Sequence, residues 1–341
     1  MKRMILLLLL FGMGFSTARA QFISGISKTG TTAAAFLEIG VGPRAVAMGG
    51  AFAGLADDIT AAYWNVAGLA RLKSGEAVFM HANWFGDASF DYAAVGLPVQ
   101  GVGTFAVHFT ALSVGREPVR TVLMPEGTGD YFSGSSVSLG VSFAYDLTDR
   151  FSIGFTGKFI NESIYHSSAS TFALDFGTIF TTPLHGMRLG ATLVNFGPKM
   201  KLSGRDLGIV YDPDPTRAGN NSQIPAVLET DDFDLPLNFR VGVAVELLQT
   251  EANRLTVALD ANTPNNNTAS INFGGEYAFQ EMFFLRAGYN TAFERDSETD
   301  LTLGAGLRYA MGGTIKLRFD YSYNEFGVLG NIHRFAVFLE F

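Results

Sequence analysis

The residues best equipped for chemistry in this chain are five histidines, a set of loop carboxylates and a glycine-rich stretch near the start. His81, His108, His166, His185 and His333 fall on different segments with no H-E-x-x-H or other metal spacing, so each reads as a lumen, girdle or loop residue. No G-x-S-x-G elbow is present. His166-Ser167 lies in a short loop and lacks the third, orienting group that a hydrolase places behind its histidine. Catalytic, cofactor-binding and metal residues are therefore all expected to be none, and the chain is not expected to be an enzyme. Asp212, Asp214, Asp231, Asp232 and Asp234 offer the clustered oxygens that Ca²⁺ takes, although a solvated acidic loop is the plainer reading. The glycine-rich stretch contains neither Gly-Lys-Ser/Thr nor G-x-G-x-x-G between a strand and a helix, which sets aside a phosphate loop.

Charge and the amino-terminal residues narrow the class. The formal net charge is −8 and no basic run occurs, so a nucleic-acid partner is excluded. The complete lack of cysteine excludes a disulfide scaffold. Lys2 and Arg3, the apolar run Met4 to Phe15 and the small-x-small site Ala18-Arg19-Ala20 have the form of a cleavable Sec-type export signal over residues 1–20, with the mature chain starting near Gln21. No later stretch is long and apolar enough for a spanning helix. Export past the inner membrane is the expectation.

The elements that follow keep the strand period. Ile315, Leu317, Phe319, Tyr321 and Tyr323 share one face, against Lys316, Arg318, Asp320 and Ser322 on the other. Leu301 to Tyr309 and Phe239 to Leu247 repeat this phase, while 76–83 and 90–97 are mixed. Strands are expected at 75–83, 89–97, 102–112, 135–146, 151–162, 170–181, 187–196, 237–247, 253–261, 269–278, 281–290, 300–310, 314–323 and 332–341. An even set of about fourteen strands, each near ten residues, suits tilted strands crossing hydrocarbon in a closed barrel. Connections after even strands are expected to be short and those after odd strands long, above all 113–134 and 197–236, as periplasmic turns and extracellular loops should be.

The second face is mostly Gly, Ser, Thr and Ala, which suits a narrow polar lumen filled by side chains. Its charges, including Lys158, Arg240, Glu246, Asp260, Glu276, Arg286, Arg308, Lys316, Arg318 and Asp320, either pair with one another or line a solute path. Tyr145, Tyr277, Tyr289, Tyr309 and Tyr323 stand where interfacial girdles form. The fold class is thus all-β, a transmembrane antiparallel barrel over 75–341 in the outer membrane, its outer face against lipid.

Residues 21–74 precede the barrel and form a small hatch or plug. They carry Gly42, Arg44, Met48, Gly49, Gly50, Asp57, Asp58, Tyr63, Trp64, Asn65 and Gly68, with Ile59 to Trp64 expected to make one or two helical turns capped by Asp57 or Asp58. Arg-Ala-x-x-Met-Gly-Gly-Ala, then Ala-Asp-Asp and Tyr-Trp-Asn-x-Ala-Gly, resembles the PorV/PorQ family, which is related to FadL-type transporters of hydrophobic compounds. The resemblance is specific over residues 36–70 and departs at Val66, where the family pattern has Pro after Asn and so a fixed φ. Phe335, Val337, Leu339 and the terminal Phe341 resemble the signal by which such barrels are recognised for assembly. The resemblance implies a component associated with type IX secretion, binding secretion-system proteins or cargo at the cell surface. Its alternative implication is passage of a hydrophobic solute, such as a fatty acid, through a plugged lumen. No cofactor is expected on either reading.

Overall fold

A computed structural model describes residues 28–292, 301–312 and 315–341. The export signal expected over 1–20 lies outside the described residues, as do 21–27 of the hatch segment and the first positions of the strands expected at 300 and 314.

Among the described residues, fourteen antiparallel strands form one closed ring. In chain order they are β1 (Glu76–Asn83), β2 (Ser89–Val99), β3 (Gly103–Pro118), β4 (Tyr131–Thr148), β5 (Phe151–Ile164), β6 (Ser167–Thr181) and β7 (Arg188–Phe196), then β8 (Asn238–Gln249), β9 (Asn253–Pro264), β10 (Ser270–Phe279), β11 (Phe283–Ala292), β12 (Leu301–Ala310), β13 (Lys316–Glu325) and β14 (Asn331–Glu340). Each pairs with its chain neighbour, β7 reaches β8 across the long loop with Val194 opposite Asn238, and β14 returns to β1 with Glu340 opposite Glu76. Phe79, Phe105, Phe155, Phe319 and Phe335 stand exposed on the outside, while Arg318, Asp320 and Arg334 are buried inside. A ring with no open backbone edge and an apolar outer band is the form strands take in hydrocarbon. The protein is an outer-membrane barrel. The end carrying the longest loops is taken as extracellular, as in other barrels of this type.

The expected alternation of short and long connections fails most plainly between β5 and β6, and the six-residue turn 182–187 after β6 is longer than the five-residue loops 84–88, 265–269 and 326–330. β5 and β6 continue to pair as far as Ile164 opposite Ser167, and only Tyr165 and His166 join them. This extracellular turn is no longer than Asp149-Arg150 at the opposite end. β3 and β4 likewise pass their expected limits at 112 and 135. The physical reason is that backbone pairing carries on above the bilayer, where the outward side chains become polar and the two-residue hydrophobic signal disappears.

Residues 34–72 lie largely inside the ring, with Thr32 bridging to Asp234 of the long extracellular loop. Two short helices, α1 (Pro43–Ala47) and α2 (Ala61–Trp64), and two 3₁₀ turns, Ala35–Glu38 and Val66–Arg71, pack Met48, Phe52, Leu55, Ile59 and Leu69 against Met80, Phe90, Tyr92 and Phe338 of the wall. β1 and β2 therefore carry apolar residues on both faces, lipid outside and plug inside, which is why their sequence phase is mixed.

The glycines of the lumen face have a role that differs from the expected one. A Cβ on Gly190 would stand 2.0 Å from the carbonyl oxygen of Ala53, and one on Gly288 would stand 2.1 Å from the amide nitrogen of Gly49. Gly154 and Gly274 meet plug backbone in the same way, while Gly242 makes room for the Asp260 side chain as well as for the Gly54 amide. Plug main chain fills much of the lumen beside the inward wall side chains, and the wall is bare where that chain touches it.

Candidate functional site

Arg44 projects from α1 into the short-turn half of the lumen. Its Nε and Nη2 donate to the two carboxylate oxygens of Glu276 on β10 at 2.8 and 3.0 Å, and its Nη1 donates to Asp57 at 2.5 Å and Asp58 at 3.1 Å. Arg318 on β13 donates to Asp58 at 3.1 Å and pairs with Asp320, while Arg286 on β11 joins Glu276 at 2.7 Å to Asp320 at 2.6 Å. The result is a ladder of alternating charge that ties the plug to three wall strands. Buried ions are tolerable only when paired in this way, since an isolated one forfeits its hydration. Of the inward charges singled out from the sequence, Lys158 pairs with Asp175 and Glu246 with Arg188, so most of that set holds structure together.

The electrostatic consequence is legible at Asp57. Burial would raise its carboxyl, but Arg44, with Arg188 and Arg71 behind it, holds it down to about 2 from an ordinary value of 3.8. Because the folded value is depressed, the stabilisation is complete above pH 4 or so and disappears as pH falls through about 2. Amide exchange across α1 is expected to be constant from neutrality to about pH 4 after correction for intrinsic rates, then to accelerate, and Asp57→Asn should remove that step. An identical acid profile in the variant would assign the step elsewhere.

The remaining hatch residues fix backbone. Gly49 and Gly50 take φ of 66° and 74°, turning the chain after Met48 where a side chain would be strained. The Gly49 amide donates to Thr302 Oγ1, which donates in turn to the Ala47 carbonyl. Gly42 caps α1, and Gly68 packs against the Ala56 carbonyl. Asp58, rather than Asp57, holds the start of α2 by accepting from the Thr60 amide. Asn65 donates to the Ala53 and Thr178 carbonyls and accepts from the Ala67 amide. At the corner before Val66, the Asn65 side chain supplies the constraint. Asp260 accepts the Phe52 and Ala53 amides at 2.9 and 2.7 Å.

Above the plug, at the extracellular end, lies a cavity of about 370 Å³. Its floor and one side are apolar, from Leu37, Ile39, Val46 and Trp64 of the plug with Trp84 and Phe326 of the loops. The wall opposite is polar, with Asn238, Arg240, Asn262 and Asn272 rising from β8, β9 and β10 and Arg334 from β14. Arg240 lies 5.0 Å from the Trp64 ring centroid and Arg334 lies 5.3 Å from that of Trp84. Burial pushes the Glu38 carboxyl up in this cavity, against the donated bond from Asn266 and the charge of Arg240. A second cavity of about 440 Å³, at the periplasmic end, opens onto the charge ladder.

Sequence reasoning did not single out Trp84, Arg334 or the asparagines as site residues. The available signal was positional: polar residues of the lumen phase at the loop end of consecutive strands. The acidic loop residues do not gather. Asp212 and Asp214 cap their own turn, Asp232 belongs to a short pair with Lys201, and Asp234 faces Lys199. Among the described residues no three His, Asp or Glu converge to hold a metal. Phe335, Val337, Leu339 and Phe341 all point outward on and just past β14, and the Phe341 amide donates to the Gly75 carbonyl.

Solved structures of the same architecture include a Pseudomonas aeruginosa FadL homologue, 13% identical over 87% of this chain and 96% of its own, with TM-score 0.53. The CymD monoaromatic hydrocarbon channel is 12% identical over 88% and 96%, with TM-score 0.56. The Ralstonia pickettii toluene transporter TbuX is 14% identical over 88% and 97%, with TM-score 0.55. At these identities the likeness is one of fold, and it is to FadL-type barrels. No protein-family model matches the chain, and no curated protein matches its sequence.

Proposed function

We propose that this barrel is a plugged outer-membrane transporter for small hydrophobic or amphiphilic solutes. The observation that carries this reading is the extracellular cavity of about 370 Å³, floored by apolar side chains of the plug itself. A solute seated there touches α2 and the 3₁₀ turn Ala35–Glu38, the elements that must shift for passage. The cavity falls within the size range of small-molecule sites, with an apolar side supplied by the plug facing a polar wall of asparagines and arginines. The likeness in fold to a toluene transporter and a hydrocarbon channel supports the same reading. Purified protein in liposomes is expected to accelerate uptake of a labelled fatty acid or of toluene above the rate of protein-free vesicles; a flat rate for both discards transport.

The secretion reading, with a PorV/PorQ-like partner role, rests on a different part of the molecule. Gly208–Tyr211 and Ile224–Val227 pair only with each other in the longest loop, and Val210, Val227 and Leu228 are exposed there. Apolar side chains in an unshielded extracellular ribbon are a feature of docking segments. Deleting residues 205–232 should, on this reading, leave a heat-modifiable barrel that no longer co-purifies with envelope partners. Unchanged co-purification removes the reading.

A further inference from the structure

Three polar atoms in the extracellular cavity have no partner. Arg240 Nη1 and Arg334 Nε are buried donors without an acceptor, and Asn238 Oδ1 is a buried acceptor without a donor. Arg240 and Arg334 are 8% and 2% exposed. Arg240 lies against the Tyr63 and Trp64 rings and interacts with the Tyr63 hydroxyl and the Glu38 charge, while Arg334 lies over the Trp84 ring and donates to the Asn324 side chain at 2.8 Å. Two buried guanidinium groups with unpaired donors call for an anion, because the cost of burying an unpaired cation is recovered when one arrives. Asn238 and Arg240 are two residues apart on β8 and so face the lumen together, and Arg240 stands directly across from Asn262 on β9. A plain carboxylate offers only acceptors. It would satisfy the arginines and leave Asn238 Oδ1 orphaned, and a hydrocarbon would orphan all three atoms.

We infer that the cavity takes an amphiphile whose anionic head carries an adjacent N–H or O–H donor, as in an N-acyl amino acid, with its chain on the Leu37, Ile39 and Trp84 side. The inference rests on the transport reading for its setting and deepens it by naming the head that the site distinguishes. The carboxylate is placed between the guanidinium groups, and the amide N–H is offered to Asn238 Oδ1.

The two tryptophans of the chain, Trp64 and Trp84, both line the cavity, so intrinsic fluorescence reports on it directly. Full-length barrel in lipid nanodiscs is titrated with N-decanoylglycine, sodium decanoate and decanol below their aggregation concentrations. N-decanoylglycine is expected to bind roughly tenfold tighter than decanoate, with decanol weaker again. Asn238→Leu should abolish the preference for N-decanoylglycine over decanoate, and Arg240→Gln should weaken both acids. Asn238→Ala, which also removes the acceptor, serves the same purpose if the leucine variant does not assemble. Equal affinity for the two acids in the unmodified protein overturns the inference, as does a preference that survives both Asn238 variants. Uptake assays separate the two claims: equal affinities with facilitated decanoate uptake sink only the head-group inference, whereas selective binding without uptake of any of the three sinks only transport.

Discussion

Valine at Gly288 is expected to evict the plug from its seat. Its Cβ would lie 2.1 Å from the Gly49 amide nitrogen and 2.3 Å from the Met48 carbonyl carbon, and both belong to backbone that turns through positive φ and is tied to Thr302. No side chain can rotate away, because the clash is between main chain and wall. Overpacking of a well-filled core costs about 1–3 kcal/mol, and with two rigid partners the upper end applies. The barrel's own ladder is untouched, so the strands should still close while the plug loses register. Single-channel recordings are expected to show steady conductance where the unmodified protein is nearly closed, with the heat-modifiable mobility of a folded barrel retained. Gly157→Ala supplies the control, since Gly157 faces open space on the lipid side. Conductance in Gly288→Val that matches this control would mean that plug backbone does not sit where it is placed here.

Arg44→Gln carries the second large effect. The guanidinium serves three carboxylates, and Asp57 has no other ion pair among the described residues. Removing one partner of a buried ion pair typically costs about 3–5 kcal/mol, because the surviving charge stays in a dry site. Arg286 and Arg254 still reach Glu276, and Arg318 still reaches Asp58, so the loss is concentrated on Asp57 and on the bidentate link between α1 and β10. Amide exchange throughout 43–58 should rise while that of the strands stays slow. Adding Asp57→Asn should recover part of the protection, since it removes the carboxylate left without a partner. Protection in Arg44→Gln equal to that of the unmodified protein would show that the ladder does not hold the plug.

Much of the architecture was legible from side-chain alternation. Leu317, Phe319 and Tyr321 against Arg318 and Asp320 placed β13 within two residues, and the same reasoning found all fourteen strands. The ring requires apolar side chains at every second position in contact with lipid, and that requirement is written locally. β1 and β2 were harder to read because their second face meets an apolar plug, and β5 and β6 were drawn too short because pairing outlasts the hydrophobic signal. At the site, Arg44, Asp57, Asp58 and Asn65 stood out as a motif, but Arg334, Trp84 and Asn238 did not, since they come from strands far apart in the chain.

The sequence by itself determined which side of each strand faces oil, because that choice is made one residue at a time by transfer energy. Only the tertiary structure decided what the other side faces. Glycines at 154, 190, 274 and 288 would look the same in a water-filled pore, and it is ring closure that brings plug backbone within van der Waals contact of them. Closure likewise selects which charges find partners in the ladder and which, at Arg240 and Arg334, are left facing a cavity. Pairing energies of that kind depend on distances between segments hundreds of residues apart, and no local pattern encodes them.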